Sequence, residues 1–206
     1  MKVKLHNSGM GTDSFEILKK SLQRFLVLRG SALCQDENAY FIEVKIDNSR
    51  AEGSYKITPN KNGVEITAYS DCDVHAAIGH LLSELDIREN KNFVPITDAI
   101  EHTPKKKIRG MYFATHFYNF YHNAPMEKVY EVIEDLAMQG CNNLLVWFDM
   151  HHFNSTKDEE AIELIDRLKS ILHYANKIGI YGSMLMLSNE GLPQFLMIKG
   201  RLAYQR

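Results

Sequence analysis

Three short stretches of this 206-residue chain gather side chains that hold ligands or move protons. THFYNFYHN contains His116, Tyr118, Asn119, Tyr121 and His122, and FDMHHFN contains Asp149, His151, His152 and Asn154. SNEG supplies Ser188, Asn189 and Glu190. Each mixes aromatic faces or amides with hydrogen-bonding tips, which suits a sugar ring: an apolar face to stack on, and donors and acceptors for hydroxyls. Asp149 and Glu190 are the carboxyl groups of the set. Hydrolysis of a glycosidic bond commonly uses two such groups, about 5 to 5.5 Å apart with retention and about 6.5 to 9.5 Å apart with inversion. Glu190 is the candidate acid-base group. Asp149 is better suited to binding a substrate hydroxyl or orienting a neighbouring histidine. The expected binding set is His116, Tyr118, Asp149, His151, His152 and Asn189. Metal binding competes, since His116, His122, Asp149, His151 and His152 are ligand types. Adjacent histidines on an extended chain point opposite ways, however, and no HExxH is present, so neither a metal nor any other cofactor is expected.

All three stretches follow segments that read as strands. IRGMYFAT, NLLVWFDM and YGSMLML are nearly continuous apolar runs, and MEKVYEVIEDLAMQG and DEEAIELIDRLKSILHYANKIG between them have helical spacing. Such alternation describes parallel β/α units, which hold their chemistry at the carboxyl ends of the strands. Before them, SFEILKKSLQRFLVLRG is an amphipathic helix with Asp13 or Ser14 as its cap and Gly30 as its stop. AYFIEVKI is a strand, and SYKITPNKNGVEITAYS is a hairpin turning at PNKNG. DCDVHAAIGHLLSELDI is a second helix with Val74, Ala77, Ile78, Leu81, Leu82 and Leu85 on one face. ITDAIEHTPKKK, with its proline and lysine run, reads as a connector. The expectation is a small α+β domain over residues 1–104, then the first βα units of an incomplete (β/α) TIM-like barrel over 105–206. Three units do not close an eight-stranded barrel, which needs roughly 200 residues by itself. The chain is therefore expected to be the front of a longer enzyme, or to self-associate through an unfinished sheet.

Composition excludes several alternatives. The formal charge of -2 gives no global field for nucleic acid or an anionic membrane surface. No apolar run approaches the roughly 18 to 20 residues that cross a bilayer. MKVKLHNSGMG lacks the apolar core of a signal peptide, so the chain as given is expected in the cytoplasm, or in the periplasm or outside the cell if its natural start lies upstream. Cys34, Cys72 and Cys141 are widely spaced and fit no disulfide framework. Gly9 and Gly11 precede a helix, but with no buried-type strand before them and no following lysine they do not read as a phosphate loop.

The order of these features, SYKITPNKNGVEITAYS, DVHAAIGHLLSEL, a proline-containing linker, IRGMYF and GCNNLLVW, resembles the amino-terminal half of glycoside hydrolases of the β-N-acetylhexosaminidase (family 20) and α-glucuronidase type. The resemblance covers most of residues 40–153. It implies an accessory domain ahead of a glycosidase barrel and a carbohydrate ligand. It also implies departures: the aspartate and sugar-holding arginine of the family's first barrel strand fall on Ala114 and Phe117. The family's catalytic Asp-Glu pair would come from a fourth strand that this chain does not clearly reach. A non-catalytic α/β carbohydrate-binding or protein-interaction module is the alternative.

Overall fold

The computed structural model describes residues 2–87, 93–94, 96–115, 118–149 and 152–185. In chain order the elements are β1 (Lys2–Ser8), α1 (Thr12–Leu28), β2 (Ala32–Leu33), β3 (Tyr40–Ile46), β4 (Tyr55–Asn60), β5 (Gly63–Ala68), α2 (Asp71–Glu84) and the short pair β6 (Asp86–Ile87) and β7 (Phe93–Val94). They continue with β8 (Ile100–His102), β9 (Gly110–Phe113), α3 (Phe120–Asn123), α4 (Met126–Met138), β10 (Asn143–Trp147), α5 (Glu159–Ile178) and β11 (Tyr181–Leu185).

The first sheet has the order β2-β1-β3-β5-β4-β8. Its first four strands run parallel, and β4 and β8 close the edge antiparallel. Period-2 alternation turns Ile42, Val44, Ile57, Val64 and Ile66 to one face, all at 2% exposure or less. That face packs on Leu18, Leu22 and Leu26 of α1 and on Val74, Ile78 and Leu81 of α2. The opposite face is solvated even though parallel ladders are usually covered on both sides. Charge accounts for it: Lys45 Nζ sits 2.6 Å from Glu65 and 3.4 Å from Glu43, and His6 faces Glu43 across the ladder. The strand that precedes Gly9 and Gly11, β1, has Val3 as its one buried residue and is not of the buried type. One expectation changes at the helix start. The helix that follows is capped at Gly11 rather than at Asp13 or Ser14, and the Gly11 N–H donates to the carboxylate of Asp71 at 3.1 Å. The protein's own anion therefore stands at that helix start. Part of the expected connector is also a strand, because Ile100 to His102 pair with Ile57 to Tyr55.

The second sheet is parallel, in the order β11-β10-β9, with α4 and α5 as crossovers. Phe113, Leu144 and Val146 pack against Ile133 and Ala137 of α4 and Leu168 and Ile171 of α5. Gly179 ends α5 in the left-handed region at φ 92°. Among the described residues, no helix is long and apolar enough to cross a membrane. The stretch GLPQFLMIKGRLAYQR lies outside them.

The two sheets are joined through their helices, as α1 and α2 pack against α4 and α5. Ile17 and Cys72, from the amino-terminal unit, belong to the core around β9–β11, and Met138 of α4 belongs to the other. At the closest crossing, a Cβ on Gly79 of α2 would lie 1.9 Å from the carbonyl oxygen of Met138. Beside it the buried Glu134 accepts from Tyr174 at 2.6 Å and pairs with Lys20 and Arg24 of α1. Arg109 fixes the connector, donating from Nε to Gly140 O at 2.7 Å.

His75 of α2 is fully buried, with Nε2 3.2 Å from Ser14 Oγ, and burial pushes its pKa down to about 4. An unfolded chain takes up that proton near pH 6.5. Between these values the unfolded state binds more protons, so stability falls as pH drops from about 6.5 to about 4, by about 3 kcal/mol in full. Urea midpoints of the wild type and of His75→Gln at pH 7 and pH 4.5 test this. The acid loss should be smaller in the variant, and equal losses in both would remove His75 as the cause.

Candidate functional site

The carboxyl ends of β9 and β10 open into a cavity of about 380 Å³, lined by Thr115, Tyr118, His122, Asp149, His152 and Arg167 among others. Its floor is set by the strands. Thr115, fully buried, donates from Oγ1 to Trp147 O at 2.5 Å and ties the end of β9 to β10. Asp149 follows the last apolar residues of β10 and is 3% exposed. A carboxylate this far from water needs a polar partner, and His152 Nδ1 provides one at 2.7 Å. The imidazole beyond it reaches the cavity, its side chain 39% exposed.

One wall comes from the segment between β9 and α4. Asn119 caps α3, accepting from the Tyr121 and His122 N–H groups at 3.1 and 3.4 Å, and its own amide nitrogen donates to Ala114 O. Asn123 Nδ2 donates to Tyr118 O at 2.7 Å. Tyr118 is thereby held at φ 54°, an uncommon conformation for a residue with a side chain, with its ring two-thirds exposed. That ring stacks on His122, with centroids 5.0 Å apart and planes 14° apart, and meets His152 edge-on at 6.5 Å. The cavity thus has an aromatic shelf with imidazole edges beside a buried carboxylate.

The other wall is α5. Arg167 reaches across to the β9–α4 segment, donating from Nε to Tyr121 O at 2.8 Å and from Nη2 to Ala124 O at 2.5 Å. Burial lowers its pKa. Sequence reasoning missed Arg167, because its partners are main-chain carbonyls 46 and 43 residues away. Of the expected set, Tyr118, Asp149 and His152 converge on this cavity. His116, His151, Asn189 and Glu190 lie outside the described residues. Among the described residues, no group of three His, Cys, Asp or Glu side chains is arranged to hold a metal.

No protein-family model matches the chain, and no curated protein matches it. Its fold does match solved structures. A family 20 exo-β-N-acetylglucosaminidase from Vibrio harveyi, as an inactive mutant, aligns with 89% of this chain at a TM-score of 0.66 and 18% identity. A β-N-acetylhexosaminidase from Bacteroides fragilis aligns with 98% at 0.65 and 16% identity. A family 138 glycoside hydrolase targeting pectin rhamnogalacturonan II aligns with 91% at 0.62 and 15% identity. The alignments take in 32%, 44% and 32% of those three chains, so this chain spans less than half the length of each. At these identities the likeness is one of fold. It is the likeness to family 20 hexosaminidases that the order of sequence features carries.

Proposed function

We propose that this chain is a carbohydrate-binding part of a glycoside-hydrolase-like protein, and that the cavity at the ends of β9 and β10 receives a sugar. The observation that carries the reading is the pairing of a buried Asp149–His152 couple with the Tyr118–His122 stack on one cavity. A pyranose offers a face of C–H bonds and a rim of hydroxyls, and this cavity offers an aromatic face and a charged hydrogen-bonding edge. Its position also supports the reading, since parallel β/α folds bind at strand carboxyl ends. In this view β9 to β11 are the opening strands of a (β/α) barrel, and residues 1–104 form its accessory domain. Cleavage of an O-glycosyl bond would require further barrel strands to bring the remaining groups, with Glu190 a candidate acid-base residue. A vibrio relative of the fold is known in complex with N-acetylglucosamine, which makes carbohydrate the first ligand class to test.

In a glycan-array screen followed by titration, the wild-type chain is expected to bind a saccharide, and Asp149→Asn to weaken it by about tenfold or more, the usual effect of losing a charge-assisted hydrogen bond. His152→Ala should act in the same direction. Equal binding by both variants and the wild type would move the site elsewhere, and binding to no glycan would favour a protein-interaction module.

A further inference from the structure

Tyr55, His80 and His102 come from β4, α2 and β8 and meet where the connector leaves the first sheet. The imidazole of His102 lies nearly flat on the ring of Tyr55, its partner in the β4–β8 register, with centroids 4.8 Å apart and planes 19° apart. His80 meets both rings edge-on, 5.9 Å from Tyr55 and 6.3 Å from His102, and its Nδ1 lies 2.9 Å from the Tyr55 hydroxyl. The three residues line a cavity of about 450 Å³ together with Arg109, Gln139 and Gly140, so the cluster sits at the seam between the two units.

The charges around the two imidazoles differ. His80 has the carboxylate of Glu84 3.6 Å from Nε2. His102 faces His80 and the guanidinium of Arg109, and the acidic group acting on it is Asp73, itself 3.9 Å from Arg109. Tyr55 stays neutral, its pKa raised by burial. Lys56 and Glu101, the next pair in the register, stand on the other face of the sheet, where Glu101 meets Arg50 at 2.9 Å. Partial burial, His80 and Arg109 hold the pKa of His102 below the ordinary value, against the pull of Asp73. A ring released to water binds its proton near pH 6.5. The released form thus binds more protons than the docked one, and release gains as pH falls through that value.

We infer that Tyr55, His80 and His102 form a proton-operated latch, which holds β8 on β4 while His102 is neutral and lets it go when both imidazoles are charged. β8 joins the sheet through three residues at its edge. Once it leaves, the connector to β9 is longer and the two units are held together by their helices. The latch does not depend on what the cavity at β9 and β10 binds.

Hydrogen exchange of the whole chain, corrected for the pH dependence of intrinsic exchange, reads the latch at residues 98–106. Protection there should fall by about tenfold or more between about pH 7.5 and pH 5.5, while the α2 and α4 segments around Gly79 and Met138 keep theirs. His102→Phe preserves a ring on Tyr55 without its proton and should keep β8 protected at both pH values. Protection of β8 that does not change with pH would overturn the latch, as would simultaneous loss in α2 and α4, which marks global unfolding. An equal loss in His102→Phe would overturn the assignment to His102. Nuclear magnetic resonance of the unaltered protein gives a second readout: the His102 ring should titrate below about pH 6.5. A midpoint at or above that value would overturn the inference even if the variant fails to fold. In His80→Gln the His102 midpoint should rise, and an unmoved midpoint would remove His80 from the latch.

Discussion

Gly79→Ala is expected to destabilise the protein by about 2 kcal/mol, a sign opposite to the one helix propensity gives. Glycine inside a helix is worse than alanine by about 1 kcal/mol, so on an exposed face the substitution would stabilise. Here the added Cβ meets Met138 O at 1.9 Å, Met138 C at 2.7 Å and Met138 Cα at 3.0 Å, all main-chain atoms of α4 that no rotamer change can move aside. The helices must separate, and overpacking of this kind commonly costs about 3 kcal/mol at its upper end. The difference between the two effects leaves a net loss. In a chain of this size it should lower the melting temperature by roughly 4 to 8 °C. Differential scanning calorimetry reads it directly, and an unchanged or raised melting temperature would show that α2 and α4 are not in backbone contact.

Glu134→Leu should have a comparable or larger effect, about 3 kcal/mol, for an electrostatic reason. Glu134 is fully buried, and its two oxygens accept from Tyr174 at 2.6 Å, Lys20 at 3.3 Å and Arg24 at 3.2 Å. Removing one member of a buried ionic cluster commonly costs about 3 to 5 kcal/mol. The lower end applies, because Lys20 and Arg24 side chains are 56% and 28% exposed and can turn to water. Tyr174 provides a second, independent readout. Burial raises its pKa, and the hydrogen bond to Glu134 raises it further. Alkaline spectrophotometric titration of Glu134→Gln should therefore show one tyrosine ionising at lower pH than in the wild type. No change in the tyrosine titration would separate Tyr174 from Glu134.

The elements that sequence made legible are those with enough apolar residues to declare a period. α2 buries Val74, Ala77, Ile78 and Leu81 completely, as its spacing requires, and β10 buries Leu144 and Val146. β8 was hidden because the half-exposed Ile100 and His102 and the exposed Glu101 between them are too short a run to declare a period and gain order from β4. β1 holds just Val3 and Leu5 in alternation among polar neighbours. Within the site, the aromatic and acidic residues stood out by type. The clamps did not: Asn119 looks like any loop asparagine until α3 forms behind it. Glu134 sits in EVIEDLAM like a surface charge. Its burial depends on α1, whose Lys20 lies 114 residues away, and on Tyr174, 40 residues away.

The mixed membership of the two cores bears on how the chain can be divided. A cut in the connector between His102 and Ile108 looks natural in sequence, and would separate one sheet from the other. It would also strip α1 and α2 of the partners that cover Ile17 and Cys72, and leave Met138 without the cluster it fills. Each piece would then carry an apolar scar where the other had been, and such surfaces drive aggregation. The two units are separable as text but not as solutes.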